Sequence, residues 1–144
     1  MAWLGRLGFA GSSDEMAGLV LVEATPPGIY GPLAEPDPGT KAPIDSFVSE
    51  SQVVAAPPSP RVPTIEIVAG RFDPLYLPGT STIWFLLQAR QAKDLGARTV
   101  TAEESGHLVP LDQPDVVVTA IEDAVAAVRD PSRWATPASA TPAP

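Results

Sequence analysis

The sequence predicts an α/β domain built on a parallel sheet. Three runs of strand length, "AGLVLVEA" (17–24), "TIEIVAG" (64–70) and "ARTVTAEE" (97–104), are rich in apolar and β-branched residues. Two segments, 80–95 and 112–129, place apolar residues at helical spacing, one between the last two strands and one after them. Strands that alternate with helices imply parallel pairing through right-handed crossovers.

Each element has its own justification. In residues 2–12, Trp3, Leu4, Leu7 and Phe9 could share a helix face, which Gly5, Gly8 and Gly11 weaken. The near-continuous apolar run 17–24 fits a strand covered on both faces, and "TPPG" ends it. From Ile29 to Val62 no period holds, and ten prolines fall between Pro26 and Pro63. This Pro-rich stretch, 29–62, is expected to be a long surface excursion, a length usually found in functional or disordered segments. Strand 64–70 stops at Gly70, and "RFDPLYLPG" is a loop. Thr80, Ser81 or Thr82 offers an N-cap for a helix with Ile83, Leu86, Leu87 and Leu95 on its apolar face, closed by Gly96. After strand 97–104 and the loop Ser105-Gly106-His107 comes the clearest helix. Asp112 would be its N-cap, Pro114 lies in its first turn, and Val117, Ala120, Ile121, Ala124, Val125 and Val128 form its stripe. Asp130-Pro131 stops it, and the Pro/Ala/Thr-rich tail 131–144 is expected to be disordered.

The 144 residues suffice for one domain, expected over 1–130. A net charge of −8 argues against nucleic acid, which requires clustered Lys and Arg. No cysteine is present, which excludes disulfides, thiolate zinc sites and Cys nucleophiles, and one histidine excludes a His-rich metal site. Neither a G-x-G-x-x-G nor a G-x-x-x-x-G-K motif occurs, so no cofactor is expected, and a stand-alone ligand-binding protein has little behind it. "MAWLGRLGFAGSS" makes a poor signal peptide and no run reaches the length of a membrane span, so cytoplasmic residence is expected.

In parallel α/β sheets, chemistry gathers in loops at the carboxyl ends of the strands. Three loops meet that description here, after Ala24, Gly70 and Glu104. The second carries Asp73 and the third His107, the only histidine. A carboxylate beside an imidazole fixes its tautomer and stabilises the imidazolium formed when the far nitrogen takes a proton. Taken singly, a Gly-His loop is more often solvated, and an Asp-Pro more often a turn former.

Together, "AGLVLVEATPPG", "PTIEIVAGRFDP" and "SGHLVPLDQPDVVVTAIEDAV", in that order, resemble the C-terminal half of a bacterial α/β-hydrolase. The resemblance runs from Met1 to Arg129 apart from the Pro-rich segment. It implies a partial α/β-hydrolase fold of about three parallel strands with flanking helices, and makes 29–62 a reduced cap. It also implies His107 as the triad base and Asp73 as its acid, with Glu23 at the end of the preceding strand as the alternative acid. The implied substrate is a small ester, amide or related molecule. Epoxide hydrolases, dehalogenases and haloperoxidases share this fold, and only the elbow residue separates them.

In that family the nucleophile occupies a G-x-S-x-G elbow upstream of the acid and the histidine. No such motif occurs here; Gly11-Ser12-Ser13 lacks the spacing, and Ser46, Ser49 and Ser51 lie in the Pro-rich segment. "AWLGRLGFA" resembles the helix after the elbow, which places Met1 directly after the nucleophile, with its N–H as an oxyanion-hole donor. The expectation is a hydrolase portion whose nucleophile lies upstream and which is inactive alone. The competing expectation is a non-catalytic interaction module, joined to partners or to itself through an open sheet edge or through "PPSPRVP" as a polyproline segment.

Overall fold

The computed structural model describes residues 16–26, 55, 61–71 and 80–134. Its strands are β1 (Leu19–Val22), β2 (Thr64–Ala69) and β3 (Arg98–Ala102). Its helices are α1 (Thr80–Leu95), the four-residue α2 (Val109–Asp112) and α3 (Pro114–Arg129), followed by a 3₁₀ turn, Pro131–Trp134. The strands form one parallel sheet in the order β1-β2-β3, with Val20 opposite Ile65 and Ile67 opposite Val100. The α/β class and the parallel pairing expected from the alternation are both present. Among the described residues no helix is long and apolar enough to cross a membrane.

Central position explains the burial of β2. All six of its residues are buried, whereas Leu19–Val22 of β1 are only half-buried. The run expected to be covered on both faces, 17–24, is therefore an edge strand among the described residues, and "TIEIVA" is the enclosed one. Successive strand residues alternate faces. Ile65, Ile67 and Ala69 join Ala102, Val109, Ala120 and Ala124 in one buried cluster, so α3 covers that face. Glu66 points the other way, where Gln91 of α1 donates to its Oε1 at 2.7 Å. The two long helices thus lie on opposite faces.

Both helix faces differ from their sequence patterns. On α1, Leu86 is 65% exposed, while Gln88 and Ala92 are buried. Polar partners make this arrangement tolerable, since Gln88 Nε2 donates to the Ala24 carbonyl at 3.0 Å. On α3 the buried residues are Ala120, Ala124 and Ala127, whereas Ile121, Val125 and Val128 are 48%, 42% and 37% exposed. Small side chains let the helix approach the sheet closely, and the larger β-branched residues are displaced to its flank. At Gly18, an added Cβ would lie 3.0 Å from Val128 Cγ2, a measure of that approach.

The helix ends are mixed. Gly96 has φ 64° and closes α1 as expected; its N–H donates to the Lys93 carbonyl and that of Ala97 to the Ala92 carbonyl. Thr80, Ser81 and Thr82 lie inside the first turn of α1 and do not precede it. Asp112 does not cap α3. It ends α2, the residue before Pro114 is Gln113, and the Gln113 side chain makes no capping hydrogen bond to that helix. Residues 131–134, expected in a disordered tail, are ordered against α3. Trp134 packs on the core, the Arg98 guanidinium stacks 4.2 Å from its ring, and Arg98 Nη2 donates to the Arg133 carbonyl at 2.6 Å.

Candidate functional site

The carboxyl ends of the strands bring together a carboxylate and the single imidazole. At the end of β1 the Glu23 N–H continues the ladder to the Ile67 carbonyl at 2.8 Å. Glu23 itself has φ 43°, the only described non-glycine residue in the left-handed region. Such a conformation costs of order 1 kcal/mol or more and is concentrated at sites where the surroundings enforce it. Here the enforcement is visible. The buried side chain reaches across the end of β2, where Oε2 accepts the Ala69 N–H at 2.6 Å. Oε1 accepts the Trp84 indole N–H at 3.0 Å.

His107 stands above this carboxylate. Its Nδ1 lies 3.9 Å from Glu23 Oε1, with the imidazole 52% exposed and the carboxylate almost fully enclosed. That distance is beyond a hydrogen bond and within ion-pair reach. The Trp84 ring meets the imidazole edge-on, 6.4 Å between centroids and 76° between planes. Burial pushes the Glu23 carboxyl above its ordinary value; the Ala69 N–H, the facing imidazole and the Trp84 N–H each pull it back.

The loop that carries His107 is braced from below. Asp112 Oδ2 accepts the Ser105 hydroxyl at 3.0 Å and the Gly106 N–H at 3.3 Å. Gln113 Oε1 accepts the Glu104 N–H at 3.0 Å. The loop is also tied to the chain leaving β2, through Gly70 N–H to the Ala102 carbonyl and Arg71 N–H to the Ser105 carbonyl. Gly70 is required there, because an added Cβ would lie 2.5 Å from the Glu103 Cα. Beside the rim, between α1 and strands β2 and β3, an open groove of about 330 Å³ is lined by Val68, Gly70, Phe85, Gln88, Thr101 and Glu103 among others.

Of the residues singled out from sequence, Glu23 and His107 are brought together. Asp73 and Met1 lie outside the described residues, as do 1–15 and most of the Pro-rich segment. Three contributors had not been singled out for the site: Trp84, Ser105 and Gln113. A fourth, Asp112, had been assigned to a helix cap. For Asp112 a signal existed, a carboxylate five residues beyond the histidine on a loop too short to leave it free. For Trp84 none did, since its partner is 61 residues away. Among the described residues no group of His, Cys, Asp and Glu is arranged to hold a metal ion.

No protein-family model matches the chain, and neither curated proteins nor solved structures gave a significant match.

Proposed function

We propose that this chain supplies the acid–base half of a hydrolytic site, in which His107 is the general base and Glu23 the carboxylate that orients it. The observation that carries the reading is the buried, left-handed Glu23, with Oε1 3.9 Å from Nδ1 of the only histidine. With Nδ1 toward the carboxylate, the neutral imidazole keeps its proton on Nδ1 and offers Nε2 to solvent as the base. When Nε2 takes a proton, the enclosed carboxylate stabilises the imidazolium. The groups this pair would serve are a hydroxyl nucleophile or a water attacking an ester, amide or related bond. The resemblance to α/β-hydrolases supports the same assignment, with Glu23 taking the role first given to Asp73. No G-x-S-x-G lies within the 144 residues, so in this reading the nucleophile comes from elsewhere, and the chain alone hydrolyses little.

The test is nitrogen NMR of the sole imidazole in the full chain. In its neutral form, His107 is expected to be the Nδ1–H tautomer, and Glu23→Gln is expected to abolish that preference. A predominantly Nε2–H tautomer, or one indifferent to Glu23→Gln, would overturn the assignment.

A second reading, an interaction module, is favoured by a separate observation. Val118, Ile121, Val125 and Val128 form an exposed apolar stripe on α3, which packs against the edge strand β1. An apolar stripe beside a sheet edge invites pairing with another chain. Size-exclusion chromatography with light scattering tests it: a discrete oligomer supports the module, and a clean monomer removes it.

A further inference from the structure

We infer that Trp84 is a positioning residue, whose indole N–H holds the Glu23 carboxylate in the orientation that presents Oε1 to His107. This rests on the acid–base reading above and extends it to a third side chain.

The geometry assigns one donor to each end of the carboxylate. The Ala69 N–H takes Oε2 at 2.6 Å and the Trp84 N–H takes Oε1 at 3.0 Å. Two donors on opposite oxygens fix the carboxylate plane, so the remaining acceptor direction on Oε1 is left for the imidazole, 3.9 Å away. An indole nitrogen donates and never accepts, so Trp84 favours the ionised carboxylate that the orienting role requires.

Trp84 is itself rigidly placed. It lies near the start of α1, and one turn further on Gln88 donates to the carbonyl of Ala24, the residue after Glu23. Helix α1 therefore grips the end of β1 twice, through a side chain and through the following backbone. The same indole stands edge-on against the His107 ring, 6.4 Å away, so one side chain fixes the carboxylate and walls one side of the imidazole.

The test is a pH series of ¹H–¹⁵N spectra on the full chain, with the Trp84 indole assigned as the peak lost in Trp84→Phe. Two other titratable groups are coupled to Glu23: His107 from the loop after β3, which lowers its pKa, and Glu66 from β2, whose pKa the Glu23 charge raises. The series is therefore repeated in His107→Ala and Glu66→Gln. The Trp84 indole N–H is expected to titrate with the Glu23 side-chain carboxyl carbon in all three proteins, and to become flat in Glu23→Gln. In folded Trp84→Phe, the Glu23 midpoint is expected to move up by about one pH unit, the size of a lost hydrogen bond to a charged group. The His107 Nδ1–H preference is expected to weaken with it, which mere loss of packing would not cause. An indole shift independent of pH in the wild-type protein overturns the proposal, even if Trp84→Phe does not fold. So does an unmoved Glu23 midpoint in a folded Trp84→Phe. A tautomer indifferent to Glu23→Gln, with an indole that still titrates, would instead sink the acid–base reading and leave the Trp84–Glu23 bond standing.

Discussion

At the scale of single residues, the turn that carries His107 is held by the Asp112 carboxylate. His107 is one residue beyond Gly106, whose N–H is bound to Asp112, and two beyond Ser105, which is fully buried. Asp112→Ala removes the acceptor shared by Ser105 and Gly106. It is expected to cost about 1 kcal/mol, the typical worth of such bonds, and to speed amide exchange at Gly106 and His107. Urea unfolding and native-state hydrogen exchange would check the two effects separately. Unchanged exchange would mean the loop is held by its backbone alone. His107 was singled out from its Gly-His loop at a strand end, and Glu23 only through the resemblance, as the alternative acid at the end of the first strand. The bonds that hold them were not, because they link residues 46 and 61 positions apart and no local pattern encodes such a pairing.

At the scale of elements, the centre of β2 holds a carboxyl that the hydrophobic pattern does not anticipate. Glu66 is fully buried; its Oε2 has no hydrogen-bond partner among the described residues, and burial raises its carboxyl to about 7, Gln91 opposing the effect and the nearby Glu23 charge adding to it. The folded state therefore binds this proton more tightly than the unfolded state. Its contribution to stability is complete below pH 4.5 and is lost as pH rises toward 7, a change of about 3 kcal/mol. Glu66→Gln keeps an acceptor for Gln91 and removes the ionisation. It is expected to match the wild type near pH 4.5 and to exceed it increasingly up to pH 7, as urea unfolding at several pH values would read. Equal pH slopes would refute this. At the other end of the strand, Gly70→Ala would drive a Cβ to 2.5 Å from backbone and should destabilise by about 1–3 kcal/mol in a thermal melt. Strand positions were legible because apolar, β-branched runs signal strands directly. Helix faces were legible only in part: Val117, Ala120 and Ala124 pack as their spacing predicts, but spacing cannot say that Gln88 and Gln91 have buried partners, or that Ile121, Val125 and Val128 turn outward.

At the scale of the whole molecule, two kinds of surface compete. The first is closed: the Arg98–Trp134 stack and the Arg98 bond to the Arg133 carbonyl fasten the end of α3 back to the start of β3. The second is open, the stripe Val118, Ile121, Val125 and Val128. Val118→Glu with Val125→Lys leaves the buried alanines in place. The pair is expected to lower self-association in light scattering while moving stability by less than about 1 kcal/mol. A large loss of stability with unchanged association would show that the stripe is already covered within the chain. Of the stripe, Ile121, Val125 and Val128 were expected in the core from their spacing and Val118 was not, since spacing alone cannot rank these residues against the alanines that lie nearer the sheet.

The ties between the chain leaving β2 and the loop after β3 carry a consequence for motion. Gly70 and Arg71 are bonded to Ala102 and Ser105, and Gly70 leaves no room for the two backbones to slide past each other. The histidine-bearing turn therefore cannot swing as an independent flap. Any opening there must lift both connections together, as one cooperative unit whose amides exchange at a common rate. Movement of the half-exposed imidazole then follows the breathing of a spliced pair of turns, and a substitution in either one changes the tempo of both.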